Sequence, residues 1–133
     1  MTDPQDQSVE AQAPFNILVL EDDVTIRNAI LKVLERSGYN TLAAANPVEA
    51  IQIAADHELA IRLLITDFGL HSVNGRQVAD VLLRDRPGLR VLYISGHAEA
   101  DVVPQGRRGP GVAFLQKPFS LDALLQHVDT LLS

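Results

Sequence analysis

The feature that most limits the possible folds is a set of five short apolar runs, whose starts are 22 to 28 residues apart. Runs that are apolar on both faces indicate strands covered on both sides, as in a parallel α/β sheet. The spacing leaves room for a helix between each pair of runs. The runs are NILVL (16–20), NTLAA (40–44), RLLIT (62–66), RVLYI (90–94) and VAFL (112–115).

The intervening stretches carry the signals of helix ends. Gly38 can close the first helix in a left-handed conformation, and Asn46-Pro47 is typical of an N-cap followed by the first helical residue. The stretch between the fourth and fifth runs contains a proline, so we expect a short or irregular helix there. Ser120 is predicted to cap the last helix, whose apolar stripe is Leu121, Leu124, Leu125, Val128, Leu131 and Leu132.

This alternation predicts an α/β fold, a doubly wound (βα)5 flavodoxin-like parallel sheet with strand order 2-1-3-4-5 and helices on both faces. Residues 15–133 form the single domain in this interpretation. Residues 1–14 lack Lys and Arg and contain three acidic residues and two prolines. We expect them to form a flexible N-terminal tail.

Composition narrows the classes of function. The formal charge of −6 argues against a nucleic-acid partner, which needs a basic surface. No run approaches the roughly 18 apolar residues of a membrane span, and no secretory signal begins the sequence. The chain has no cysteine, which fits a cytoplasmic protein.

Polar residues follow four of the five predicted strands. Glu21-Asp22-Asp23 follow the first strand, Asp67 the third, Ser95 the fourth and Lys117 the fifth. In open α/β sheets, functional groups gather at the carboxyl ends of the strands. We therefore expect these side chains to meet at one edge of the sheet.

Such a cluster supports only a narrow range of chemistry. Gathered carboxylates repel one another and need a cation, and oxygen ligands without cysteine favour Mg²⁺. Lys117 and the Ser95 hydroxyl are suited to bind phosphoryl oxygens. Asp67 is then predicted to be the nucleophile that accepts phosphate.

The segments ILVLEDD, LLITDFGLHSVNG, VLYISGHA and FLQKPFS resemble the four signatures of the response regulator receiver domain, over residues 15–132. ISGHA and GVAFLQKPF are especially similar to receivers attached to hybrid histidine kinases. The resemblance implies a phospho-accepting receiver of a two-component His-Asp phosphorelay, and not an enzyme in the usual sense. The phosphate would come from a phosphohistidine on a sensor histidine kinase or histidine phosphotransfer protein, and would switch a contact with a downstream protein.

The resemblance also implies a role for each motif residue. Mg²⁺ would be held by Asp22 directly, by Glu21 through water, by Asp67, and by the backbone carbonyl of Gly69. Asp23 falls outside this set and is expected to be an N-cap.

Around the phosphate, the resemblance implies that Ser95 is the switch hydroxyl and Lys117 the phosphate-binding lysine. Phe114 is implied to be the aromatic residue whose rotamer follows Ser95, and Lys117-Pro118 is implied to be a cis peptide. Gly69 and His97, two residues after Asp67 and Ser95 respectively, are candidates for setting the phosphate lifetime. His57 and His127 are predicted to be ordinary surface histidines.

Other classes of function remain open from the sequence. A Mg²⁺-dependent aspartyl-phosphate phosphohydrolase usually needs a second acid two residues after the nucleophile, where this chain has Gly69. A flavodoxin-like cofactor binder needs a Gly-rich loop after the first strand, which is not present in the sequence. A receiver that binds a partner without being phosphorylated is the third alternative.

Overall fold

The computed structural model describes residues 14–67, 75–96 and 111–133. Five strands and four helices alternate along these residues, and each predicted strand end lies within one residue of the observed end. The short helix expected before the fifth strand, and the expected tail up to residue 13, lie outside the described residues. The elements are β1 (Asn16–Leu20), α1 (Val24–Arg36), β2 (Asn40–Ala44), α2 (Pro47–Ala54), β3 (Ile61–Asp67), α3 (Gly75–Asp85), β4 (Arg90–Ser95), β5 (Val112–Gln116) and α4 (Leu121–Leu132).

The strands form one parallel sheet in the order β2-β1-β3-β4-β5, which confirms the predicted topology. The pairing register aligns the carboxyl ends of the central strands. Leu20 of β1 pairs with Thr66 of β3, and Asp67 pairs with Ile94 of β4. The residues that follow these pairs therefore reach the same edge of the sheet.

The helices cover both faces of the sheet, also as predicted. Alternate residues of β1 enter two separate cores, because successive strand side chains point to opposite faces. Leu18 and Leu20 pack with residues of α2 and α3, whereas Ile17 and Val19 pack with residues of α1 and α4. None of the helices in the described part of the chain is long and apolar enough to cross a membrane.

The predicted helix ends are confirmed. The Asp23 carboxylate accepts from Thr25 N at 2.8 Å and begins α1, while Asn46 and Ser120 cap α2 and α4 in the same way. Gly38 follows α1 with a φ of 93°, a left-handed conformation that glycine adopts without strain.

The apolar stripe of the last helix is not buried along its whole length. Its first member, Leu121, is 40% exposed. Leu121 is the first residue of α4 and lies at the rim of a surface groove. Leu124, Val128 and Leu131 of the same stripe are buried.

Candidate functional site

Asp67 is the last residue of a central, buried strand. Residues 63–66 of β3 are at most 1% exposed, and Asp67 itself is 8% exposed. A carboxylate with so little contact with water needs polar partners within the protein. The neighbouring strand ends supply them.

Lys117, which follows β5, is the closest of these partners. Its Nζ donates to Asp67 Oδ2 at 2.7 Å and lies 3.6 Å from Glu21 Oε1. Burial lowers the pKa of Lys117, but the hydrogen bond and charge of Asp67, together with Glu21, outweigh burial and raise it above its usual value. The ammonium group therefore stays charged and links the ends of β1, β3 and β5.

Glu21 is the most buried of the acidic residues at this edge, with 1% exposure. The pKa of Glu21 is raised from 4.5 to about 7, and burial is the largest cause. The Asp67 charge and a hydrogen bond with Asp22 also raise this pKa, whereas the hydrogen bond from the Asp23 amide and the Lys117 charge lower it. Glu21 Oε2 accepts from Asp23 N at 3.1 Å. Glu21 Oε1 has no hydrogen-bond partner among the described residues.

Asp22 completes a group of three carboxylates. One oxygen each from Glu21, Asp22 and Asp67 lies within 4.8 Å of the others, and Asp22 is exposed to solvent. Three acidic groups face one lysine, so a cation is needed for charge balance when all three are ionised. The cluster fits a hard divalent ion such as Mg²⁺, because its ligands are carboxylate oxygens and the buried Glu21 Oε1 is available to a ligand or water.

The end of β4 borders this cluster. Ser95, the last residue of β4, is 1% exposed, and its carbonyl accepts from Lys117 N at 2.8 Å. Lys117-Pro118 is a cis peptide, as the resemblance implies. The structure thus brings Glu21, Asp22, Asp67, Ser95 and Lys117 together at one edge of the sheet.

Phe114 lies within β5, before the end of the strand that carries this cluster. Its ring stacks on Tyr93 of β4, with 5.2 Å between the ring centroids. The sequence assigns no role to Tyr93, and the available signal was its position two residues before Ser95, which places both residues on one sheet face.

Arg27 is a second residue that sequence reasoning missed. Its Nη1 donates to the Glu21 carbonyl at 2.8 Å, which ties the first turns of α1 to the acidic segment. Its position one helical turn after Asp23 was the available signal.

The remaining predicted residues fall elsewhere. Gly69 and His97 lie outside the described residues, so their roles stay predictions. His57 is exposed and lies 3.7 Å from Asp85, far along the chain from the acidic cluster. His127 is half-buried in α4.

An apolar groove of about 600 Å³ opens beside Lys117. It runs between the start of α1 and the connection from β5 to α4. Leu121 at its rim is 40% exposed, and Val24 of α1 is 54% exposed. The lining residues are Thr25, Ile26, Ala29, Ile30, Lys117, Pro118, Phe119 and Leu121.

Three comparisons with known proteins agree with this architecture. The chain is 29% identical over 113 residues (84% of its length) to an NtrX-like response regulator of Rickettsia bellii, and spans 23% of that relative. It superposes on a response regulator receiver protein of Sinorhizobium medicae with a TM-score of 0.79 and 28% identity, covering 91% of this chain and 96% of that one. The receiver domain of the hybrid histidine kinase CckA gives a TM-score of 0.68 and 30% identity, covering 89% of this chain and 99% of that one.

Residues 17–129 match the family described as the response regulator receiver domain. This match covers most of the chain and includes Glu21, Asp22, Asp67, Ser95 and Lys117. The chain therefore belongs to the response regulator receiver domain family of two-component signalling.

Proposed function

We propose that Asp67 accepts a phosphoryl group from a phosphohistidine on a sensor histidine kinase or histidine phosphotransfer protein. The observation that carries this proposal is the contact of 2.7 Å between Lys117 Nζ and a buried Asp67, beside two further carboxylates. Phosphorylation would then change a contact with a downstream protein. The cytoplasmic location expected from the sequence stays a prediction.

The chemical step is the transfer of one phosphoryl group. A carboxylate oxygen of Asp67 forms a bond to phosphorus as the bond between phosphorus and the imidazole nitrogen breaks. The electron pair of that bond stays on the nitrogen, and with one proton on either ring nitrogen the donor histidine is left as a neutral imidazole. The Lys117 ammonium can stabilise the negative charge of the phosphoryl oxygens during the transfer.

Glu21, Asp22 and Asp67 are the residues that would hold Mg²⁺. When bound, Mg²⁺ neutralises charge on the phosphoryl oxygens. The protein's own contribution is positional: Asp23 N and Arg27 hold the acidic segment, while Lys117 fixes the acceptor carboxylate. The exposure of Asp22 leaves one side of the cluster open to solvent and to a donor.

The groove beside Lys117 supports a protein as the phosphate donor. A donor histidine has to approach Asp67 closely, and the protein that carries it then contacts the surface next to the site. Leu121 lines this groove, and the exposed Val24 is the first residue of the adjacent helix α1. Both are large apolar side chains that a small phosphodonor would not cover. We expect a donor with an apolar ridge to bury them.

The proposal is tested by incubating the protein with a small phosphodonor and Mg²⁺ and measuring its intact mass. We expect a gain of one phosphoryl group in the wild type and none in Asp67→Asn, which keeps the shape of the side chain but removes the nucleophile. Asp122→Asn makes the same chemical change at an exposed position and should be phosphorylated normally. Labelling of Asp67→Asn at the wild-type rate would refute the assignment of the acceptor.

The same experiment separates the alternatives. A stable adduct supports a receiver, continuous release of phosphate from many esters supports a phosphohydrolase, and no adduct supports a module that only binds a partner. Chromatography with and without the phosphodonor then shows whether phosphorylation changes association.

A further inference from the structure

Tyr93 and Phe114 form an aromatic pair directly behind the candidate site. They lie opposite each other in the pairing of β4 with β5. Their ring centroids are 5.2 Å apart and their planes meet at 30°, a stacked arrangement. The next pair on the same sheet face is Ser95 with Gln116, so Tyr93 and Ser95 are consecutive side chains on that face.

The two rings are held very differently. Tyr93 is 4% exposed and belongs to the core cluster formed with α2 and α3, which also contains Leu64 and Val78. Phe114 is only half-buried and lies on β5, at the edge of the sheet. Phe114 packs against the rim of the cluster that contains Tyr93, so its rotation disturbs fewer buried contacts than a displacement of Tyr93, which would open the core. Tyr93 is therefore the fixed member of the pair and Phe114 the movable one.

We infer that Tyr93 is a positioning residue whose ring holds Phe114 over β4 and sets the balance between the rotamers of Phe114. Stacked aromatic pairs contribute enough, beyond their buried area, to change a two-state ratio by about two- to tenfold. The inference rests on the proposed phosphorylation of Asp67 and deepens it, with Phe114 in the role that the resemblance implies, the aromatic residue whose rotamer follows Ser95. Tyr93 itself touches neither phosphate nor metal in this assignment.

Backbone contacts connect this pair to the site. The Lys117 amide donates to the Ser95 carbonyl at 2.8 Å, so the two site residues at the ends of β4 and β5 are joined to each other. A displacement of Ser95 on phosphorylation of Asp67 would act on the strand end that also carries Tyr93. Because Phe114 has no hydroxyl, its response depends on packing, and the Tyr93 ring is one of the groups against which it packs.

The test measures the χ1 rotamer populations of Phe114 from three-bond nitrogen–carbon and carbon–carbon couplings in the isotopically labelled protein. These couplings report torsion angles and do not change merely because the ring current of Tyr93 is lost or the protein is less stable. In the resting wild type we expect one dominant rotamer. In Tyr93→Leu we expect the rotamer ratio to shift by about two- to tenfold, and in Tyr93→Phe, which keeps the ring, we expect wild-type couplings.

Two results would overturn the inference. Unchanged Phe114 populations in folded Tyr93→Leu would show that the stack does not position the ring, and a shift in Tyr93→Phe as large as in Tyr93→Leu would assign the effect to the hydroxyl. If Tyr93→Leu does not fold, Tyr93→Met, which is also ring-free but more adaptable in a core, takes its place in the same comparison.

A separate comparison tests the proposed function. Beryllofluoride with Mg²⁺, a mimic of the phosphorylated state, is added to the wild type and should change the Phe114 couplings. If the mimic binds without changing them, the switch role of Phe114 is wrong, while the inference about Tyr93 is still judged on the resting proteins alone.

Discussion

Replacing Glu21 by glutamine is expected to stabilise the metal-free protein at alkaline pH, although it removes a candidate metal-binding group. Glu21 is 1% exposed, and burial is the main cause that raises its pKa from 4.5 to about 7. Above that pH the folded protein keeps a buried carboxylate charged beside Asp67. Glutamine has nearly the same shape, can still accept from Asp23 N, and carries no charge.

The size of the effect follows from the two pKa values. A raised carboxyl pKa means that the folded state binds the proton more tightly than the unfolded chain, so stability falls as the pH rises from about 4.5 to about 7. The difference between the two pKa values lowers the free energy of unfolding of the wild type by about 3 kcal/mol at about pH 8. Near pH 5 the loss is less than about 1 kcal/mol. In the variant, Lys117 loses its attraction to Glu21 but keeps the hydrogen bond to Asp67, which limits the stability that is lost.

The assay is urea unfolding of the wild type and Glu21→Gln in a chelator, at about pH 5 and about pH 8. Glu58→Gln makes the same substitution at an exposed position and should match the wild type at both pH values. In saturating Mg²⁺, the free energy of unfolding of Glu21→Gln should exceed that of the wild type by less, or fall below it, because a cation that binds the folded wild type stabilises it.

Equal free energies of unfolding for the two proteins at about pH 8 in chelator would show that the buried charge of Glu21 does not destabilise the fold. A gain of similar size at both pH values would also contradict the prediction, since packing and not charge would then be the cause.

Three further predictions concern the rest of the site. Asp22→Ala should weaken Mg²⁺ binding, so that Mg²⁺ and beryllofluoride no longer raise the melting temperature; unchanged affinity in a Mg²⁺ titration would contradict the metal assignment. Lys117→Ala should lower the melting temperature modestly without metal and regain it with Mg²⁺, and a large loss that persists in saturating Mg²⁺ would make Lys117 a structural residue. His97→Ala should slow dephosphorylation and flatten its pH dependence between about 5.5 and 7.5, the range in which histidine ordinarily titrates. Faster decay would instead indicate that His97 shields the phosphate.

The sheet and the strand-end cluster were predictable because they depend on patterns that span many residues. Consecutive apolar residues in β3 mark a strand buried on both faces, and the alternation of strands and helices leaves few topologies. Once the order 2-1-3-4-5 is assumed, Asp67 and the acidic segment after β1 have to meet. The helix caps at Asn46 and Ser120 were predictable because the capping bond is local.

The division of roles within the acidic segment was not predictable from the residues alone. Glu21, Asp22 and Asp23 are similar and adjacent, yet the first is buried, the second exposed and the third caps a helix. The burial and role of each residue depend on the direction in which the chain leaves β1. The hydrophobic periodicity of the sequence does not predict that direction.

Arg86 illustrates the same limit away from the site. The sequence indicates only that Arg86-Pro87-Gly88 closes a helix. In the structure its guanidinium donates to the carbonyls of Leu59, Ala54 and Asp56, at 2.7, 3.0 and 3.0 Å, and so holds the loop after α2. Contacts between distant, long side chains and backbone groups require the assembled fold.

The position of Lys117 suggests how a change at Asp67 reaches the sheet edge. Lys117 extends from β5 to a carboxylate on β3, with Glu21 of β1 at 3.6 Å. When an Asp67 oxygen becomes bonded to phosphorus, the carboxylate loses its full charge and the phosphoryl oxygens become the stronger acceptors. The Lys117 ammonium group would then move toward the phosphoryl oxygens. Because Lys117 N donates a hydrogen bond to the Ser95 carbonyl, this movement would displace the ends of β4 and β5 together. On the sheet face that carries Ser95, Tyr93 and Phe114 are the pair before Ser95 and Gln116 in these same two strands. Because Phe114 is half-buried at the edge of the sheet, a rearrangement of this pair would alter the exposed surface.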